Sequence, residues 1–192
     1  MVTTTSPKRA DARRNIESIV DAATRLLAAD PDASVQDIAK AAGVGRVTLY
    51  GHFDSRATLV AEVATRAIAE TDAALREVDL GGEPGDAMVR WIDATWLLTH
   101  RFGGIVVAAV DVLPAEQVRL AHEVPERRVR DLLSRGRDAG VFRSDLPVEW
   151  QIATIHALLH AASTECQRGA LTADEAARLV RETILATLHV CR

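Results

Sequence analysis

Cysteine is nearly absent: Cys166 and Cys191 are the two in 192 residues. They show no CxxC spacing, which leaves no basis for a disulfide framework or a thiolate zinc site. Long apolar runs are missing as well. The longest, Ile105 to Val110, falls far short of the roughly 20 residues that a membrane-spanning helix needs. The stretch Val2-Thr3-Thr4-Thr5-Ser6-Pro7-Lys8-Arg9 has no apolar core of a signal peptide, and the protein is expected to be cytoplasmic. No segment alternates apolar and polar residues between hairpin turns, which excludes a β architecture. There is no internal repeat and no low-complexity segment. Aromatic residues make up only 4% of the chain, yet hydrophobic residues make up 48%. The core must therefore be built mainly from Ala, Val, Leu and Ile, in a globular protein.

What is present is helical periodicity. Ile16, Ile19, Val20, Ala23, Leu26 and Leu27 recur at three- and four-residue steps and mark one long helix, closed by Asp30-Pro31-Asp32. Ser34 followed by Asp37 has capping-box spacing and opens a short helix to Ala42. Asp54 or Ser55 caps a longer helix whose stripe includes Leu59, Val60, Val63, Ala67 and Ile68. After the break at Gly81-Gly82-Glu83-Pro84-Gly85, helices are expected over 86–100, 104–112, 125–139, 147–166 and 173–190. The last is introduced by Thr172 with Glu175 in capping-box spacing. The expectation is an all-α chain of about nine helices in two domains, 1–54 and 55–192.

Net charge is −4, an unpromising value for a protein that touches phosphate until it is divided along the chain. Residues 1–56 carry eight Lys/Arg against seven Asp/Glu, and the remainder carries fifteen against twenty. Lys8, Arg9, Arg13 and Arg14 face only Asp11 within the first 14 residues. A basic arm on an acidic body suits a protein that meets a polyanion with one end.

The stretch Ala39 to Phe53, AKAAGVGRVTLYGHF, breaks its helical pattern with three glycines. Val35, Ile38 and Ala39 form the inner face of the first short helix. Gly43 falls where the chain turns sharply, and a left-handed conformation costs glycine little. A second short helix follows from Gly45 to Gly51, with Val44 and Leu49 inward. Helix, glycine turn and helix make a helix-turn-helix, whose second helix enters the major groove of DNA. Gly45, Arg46, Val47 and Thr48 lie at the start of that helix, in reach of base edges. Tyr50 and His52 lie at its far end, in reach of phosphates, and Phe53 belongs to the core.

Thr48-Leu49-Tyr50-Gly51-His52-Phe53, preceded by Ile38-Ala39 and Ala42-Gly43-Val44 and followed by Arg56 and Leu59, resembles the TetR family of bacterial transcriptional repressors. The resemblance spans roughly Arg13 to Leu59. Gly45, Val47 and Gly51 depart from it, since Ser, a small residue and a larger polar residue are common at those positions. The resemblance implies a homodimer that binds a palindromic DNA operator through N-terminal three-helix domains. It implies C-terminal helices that supply dimerisation and a pocket for a small-molecule effector. It also implies that Thr48, Tyr50 and His52 contact DNA and that Arg56 lies near a phosphate.

The C-terminal region carries fewer signals. Trp91, Trp96 and Phe102 fall within twelve residues of a chain holding seven aromatics, and they could wall an apolar cavity or simply fill the core. His100 and His156 are candidate polar groups for such a pocket. His156 and His160 have the i,i+4 spacing of metal ligands, but no third ligand lies near them in sequence, so neither a metal nor a cofactor is expected. The last two long helices carry Trp150, Ile152, Ile155, Leu158, Leu159, Leu179, Val180, Ile184, Leu185 and Leu188, enough apolar surface to suggest a four-helix interface between subunits. Two other function classes remain: an enzyme built on His156, His160 and Asp111, or a helical interaction protein that has lost DNA binding. No nucleophile elbow, HExxH or phosphate-binding glycine loop supports the first. Arg46, Thr48, Tyr50 and His52 argue against the second.

Overall fold

The computed structural model describes residues 7–189, the side chains of 7–10, 115, 118–122 and 124 excepted. Eight helices span these residues: α1 (Pro7–Ala29), α2 (Val35–Ala41), α3 (Arg46–Tyr50), α4 (Arg56–Arg76), α5 (Pro84–Ala109), α6 (Ala115–Asp138), α7 (Val148–Gln167) and α8 (Ala173–Leu188). Among the described residues the only bridge of β type is the isolated pairing of Phe142 with His189. None of the described helices is long and apolar enough to cross a membrane. The stretch 1–6 and the side chains of Lys8 and Arg9, part of the expected basic arm, lie outside the described residues.

Two compact units divide the chain. The first is Met1–Ala67 with Gly104–Leu113, and the second is Ile68–Gly103 with Pro114–Arg192. Both α4 and α5 are thus shared in sequence between the units.

In the first unit, α1 packs on α2 and α2 on α3. Ile19, Ala23 and Leu27 of α1, Ile38 and Ala39 of α2, Leu49 of α3, and Leu59, Val60 and Val63 of α4 are all buried, together with Phe53. The caps follow the sequence signals. Ser34 accepts a hydrogen bond from the Asp37 N–H at 3.1 Å, and Ser55 accepts one from the Thr58 N–H at 3.1 Å. Each satisfies a backbone donor that the first helical turn leaves free.

In the second unit, α6 packs on α7 and α7 on α8. The core is Met88, Trp91, Ile92 and Trp96 of α5, Val129, Leu132 and Leu133 of α6, Ile152, Ile155 and Leu159 of α7, and Val180, Ile184 and Leu188 of α8, with Phe142. The capping box of α8 closes in both directions. Thr172 N–H donates to the Glu175 carboxylate at 2.9 Å and Glu175 N–H donates to the Thr172 hydroxyl at 3.3 Å. The Thr172 N–H and the Thr172 hydroxyl both donate to the Glu175 carboxylate, stabilise its ionised form and hold it below the usual carboxylate range.

The second unit also fixes the far end of α4. Arg128 donates to the Leu75 carbonyl and, at 2.7 Å, to that of Val78. Arg90 donates to the carbonyls of Asp79 at 2.8 Å and Gly81 at 2.7 Å, and Arg135 donates to that of Leu80. The Leu75 carbonyl lies in the last turn of α4, where carbonyls have no partner within the helix and carry the negative end of its dipole, so the Arg128 guanidinium suits it; the others hold the loop that follows.

Three expectations are corrected. Helices at 86–100 and 104–112 are one helix, α5, which runs through Gly103 and Gly104. These glycines serve close approach instead of a break. A Cβ on Gly104 would lie 2.4 Å from the Leu27 carbonyl oxygen and 2.5 Å from that of Ala28, and a Cβ on Gly103 would lie 2.4 Å from the Ser163 hydroxyl. The helix expected to begin at Pro125 begins at Ala115 and contains that proline. A proline cannot donate to the helical ladder, which is why it reads as a start, but α6 continues through it. Finally, Ile152, Ile155, Leu159, Val180, Ile184 and Leu188 are consumed by the core of their own unit. The apolar groups left exposed on these helices include Trp150 and Leu179, with Ala153, Ala157 and Ala161 in line with Trp150 along α7.

Candidate nucleic-acid interface

Local chemistry sets the shape of the helix-turn-helix. Gly43 takes a φ of +71°, the left-handed value that lets α2 stop sharply. Gly45 is extended and opens α3, and Gly51 closes it with its N–H bonded to Val47. Only Leu49 of α3 is buried. Gly45, Arg46, Val47, Thr48 and Tyr50 are exposed, and His52 is half-buried. The outer side of α3 therefore presents one cation, two hydroxyls, an imidazole and an isopropyl group on a scaffold held from beneath by Leu49, Ile38 and Phe53.

Two of these side chains meet. The Arg46 guanidinium carbon lies 5.4 Å from the centroid of the Tyr50 ring, one helical turn on. A cation over an aromatic face is attracted by the ring quadrupole, which narrows the directions open to the guanidinium. Arg46 is thus partly oriented, a feature the spacing of residues 46 and 50 could have signalled.

Arg56 has a definite structural partner. Its guanidinium donates to the Pro31 carbonyl at 2.6 Å, tying the first residue of α4 to the turn that follows α1. Further along the surface, Arg13 pairs with Glu17 at 3.1 Å and Arg14 pairs with Asp11.

The residues singled out for a ligand pocket fall in different settings within the second unit. Trp91 and Trp96 are core residues, and Phe102 is buried with the Arg101 guanidinium carbon 4.7 Å from its ring centroid. His100 is exposed and stacks on Trp96, with ring centroids 5.4 Å apart. His156 is half-buried on α7. An open cleft of about 310 Å³ lies elsewhere in this unit, lined by Leu80, Arg128, Asp131, Leu132 and Arg135. Sequence reasoning missed Arg128 and Arg135, whose partners are backbone carbonyls that no residue pattern marks.

The family model described as "Bacterial regulatory proteins, tetR family" matches residues 19–63, which enclose α2, α3 and Arg56. The chain is 27% identical over 156 residues, 81% of each protein, to the HTH-type transcriptional repressor LfrR of Mycolicibacterium smegmatis. Among solved structures, it resembles PfmR, a TetR family transcriptional regulator from Thermus thermophilus, with a TM-score of 0.71 at 25% identity, covering 91% of this chain and 99% of that one. LfrR in complex with proflavine matches with a TM-score of 0.70 at 22% identity, over 93% and 98% of the two chains. The ketosteroid transcriptional regulator KstR2 of Mycobacterium tuberculosis matches over 100% and 98%, with a TM-score of 0.71 at 20% identity. With a helix-turn-helix that turns Arg46, Thr48 and Tyr50 outward from a buried support, the chain is a DNA-binding transcriptional regulator similar to those of the TetR family, whose model it matches over residues 19–63.

Proposed function

We propose that the protein is a cytoplasmic repressor that binds a palindromic operator as a homodimer and is released by a small, largely apolar ligand. The observation that carries this reading is α3, whose polar and cationic side chains are exposed while Leu49 alone anchors it. The repressor assignment is supported by LfrR, which is named as one. Arg46 reads a base, Gly45 and Thr48 stand beside it at the start of α3 in reach of base edges, and Tyr50 and His52 fix the helix on the phosphates. Arg56 acts near the same phosphates while holding the turn at Pro31.

The test separates the two kinds of contact. Arg46→Ala is expected to weaken operator binding by about 1–3 kcal/mol and to relax preference at one base pair per half-site. Tyr50→Phe keeps the ring beneath Arg46 and loses only the hydroxyl, so it should weaken binding about equally on all sequences. Titration against operators varied one pair at a time measures both. A change of sequence preference in Tyr50→Phe but not in Arg46→Ala would reverse the assignment.

Dimerisation is assigned to the outer faces of α7 and α8. Trp150, 62% exposed, stands at one end of a line of alanines that would let a second helix approach closely. A dimer is expected at micromolar concentration by sedimentation, and Trp150→Glu is expected to shift it to monomer. An unchanged dimer in the variant would move the interface elsewhere.

Release by ligand is assigned to the neighbourhood of Trp96, His100 and Phe102, with Trp91 behind them and His156 as a further polar group. The complex of LfrR with proflavine supports a small-molecule effector for this chain. The helix α4 begins at the helix-turn-helix and ends where Arg128 holds it, so its tilt would change the separation of the two recognition helices. A coupling of about 1–3 kcal/mol would lower operator affinity roughly 5- to 150-fold, and saturating operator must then weaken ligand binding by the same factor. Calorimetric titration of an effector found by thermal-shift screening, with and without operator, checks this. Equal affinities in the two conditions would mean that the ligand is not an inducer.

A further inference from the structure

We propose that Val47 reads the C5-methyl group of a thymine in each operator half-site, and so sets specificity at a base pair that Arg46 does not read. The proposal rests on the DNA-binding reading above and adds to it a residue role and a base. Its starting point is the geometry of α3. At 3.6 residues per turn, Val47 stands about 160° round the helix from the buried Leu49, whereas Arg46 stands about 60° away and Thr48 and Tyr50 about 100° away. Val47 is therefore the side chain aimed most directly away from the domain, and it is 88% exposed, more than any other large apolar residue described as exposed. A recognition helix laid in the major groove turns that direction toward the groove floor.

Chemistry then limits what Val47 can meet there. An isopropyl group has no donor or acceptor, so it gains nothing from a phosphate oxygen or from the polar edges of guanine, adenine or cytosine. The one apolar feature the base pairs present in the major groove is the thymine C5-methyl. The flanking residues take the polar work. Arg46 is drawn to one side by its contact with Tyr50, and Thr48 offers a hydroxyl on the other. A β-branched side chain in a helix is confined to few rotamers, so Val47 would lose little freedom on contact.

Deoxyuridine differs from thymidine by that methyl alone, and this makes the contact separable from everything else at the interface. The operator is first recovered from random DNA with the wild-type protein, and each thymine is then replaced singly by deoxyuridine. The wild type is expected to lose roughly fourfold in affinity at one thymine per half-site, the value of burying one methyl-sized group. Val47→Ala is expected to fold normally, because the residue is exposed, and to cut that penalty below twofold. A penalty absent at every thymine, or retained in full by Val47→Ala, would overturn the proposal, since the valine would then lie over sugar or solvent. Failure to recover any preferred sequence would instead overturn the DNA-binding reading itself.

Discussion

Replacing Trp91 by alanine is expected to lower the stability of the second unit by about 3–5 kcal/mol, the usual cost of emptying a large buried aromatic site. The indole is 1% exposed and lies among Met88, Ile92, Leu133 and Ile155 in one continuous cluster. Deleting it removes the apolar area it buries and leaves a cavity that α5, α6 and α7 cannot collapse into fully. A domain stable by about 5–15 kcal/mol would lose roughly a fifth or more of its margin. Chemical denaturation followed by tryptophan emission is well suited to this, because Trp91, Trp96 and Trp150 all lie in the second unit and the signal ignores the first. A loss under about 1 kcal/mol would mean that the ring borders a cavity and is free to be a ligand contact. A loss in the expected range leaves Trp96 and its stacked His100 as the aromatic pair open to an effector.

Gly104→Ala is the second large effect, and its sign is the informative part. Alanine in place of glycine within a helix ordinarily stabilises by up to about 1 kcal/mol. Here the added methyl would meet two backbone oxygens, of Leu27 and Ala28, at 2.4 and 2.5 Å. Neither can rotate away without distorting the last turn of α1. The net change is expected to be a destabilisation of about 3 kcal/mol, the upper end of what overpacking usually costs. Gly103→Ala is the internal comparison. Its methyl would meet the Ser163 hydroxyl, which can turn away at the expense of its 3.4 Å bond to the Thr99 carbonyl, so the cost should be smaller. Thermal unfolding followed by far-ultraviolet circular dichroism reports both variants. A rise in the melting temperature of both would show that α5 does not approach its neighbours this closely.

The same glycines explain why parts of the fold were legible in the sequence and others were not. Helix caps are local: Ser34, Ser55 and Thr172 bond to groups three residues away, so their spacing alone announces them. The turn at Gly43 is local too, and its left-handed backbone is what glycine offers. Gly103 and Gly104 answer to partners far away in the chain, Ser163 and Leu27, and nothing beside them in the sequence separates close packing from a break. Pro125 shows the same ambiguity within α6. The outward-facing residues of α3 were legible because a short helix with one buried position leaves little choice about what faces outward. The setting of the indoles was not, because such a cluster looks alike whether it lines a cavity or fills a core, and Trp91 and Trp96 belong to the core.

The division of α5 between the two units bears on how the protein is synthesised. The first unit is made of two separated pieces of chain, and its second piece, Gly104–Leu113, brings Ile105 and Ala109 into a buried position. A nascent chain leaves the ribosome from its N-terminus, and domains generally fold as units in that order. Here the helix-turn-helix would emerge early but lack a part of its packing until Leu113 had followed, with residues 68–103 already outside. An isolated fragment ending within α4 would remain permanently in that unfinished condition. Chimaeras that graft this DNA-reading head onto another effector domain should therefore carry the Gly104–Leu113 segment with it, and a splice placed in α4 alone should give a head with exposed apolar surface and a tendency to aggregate.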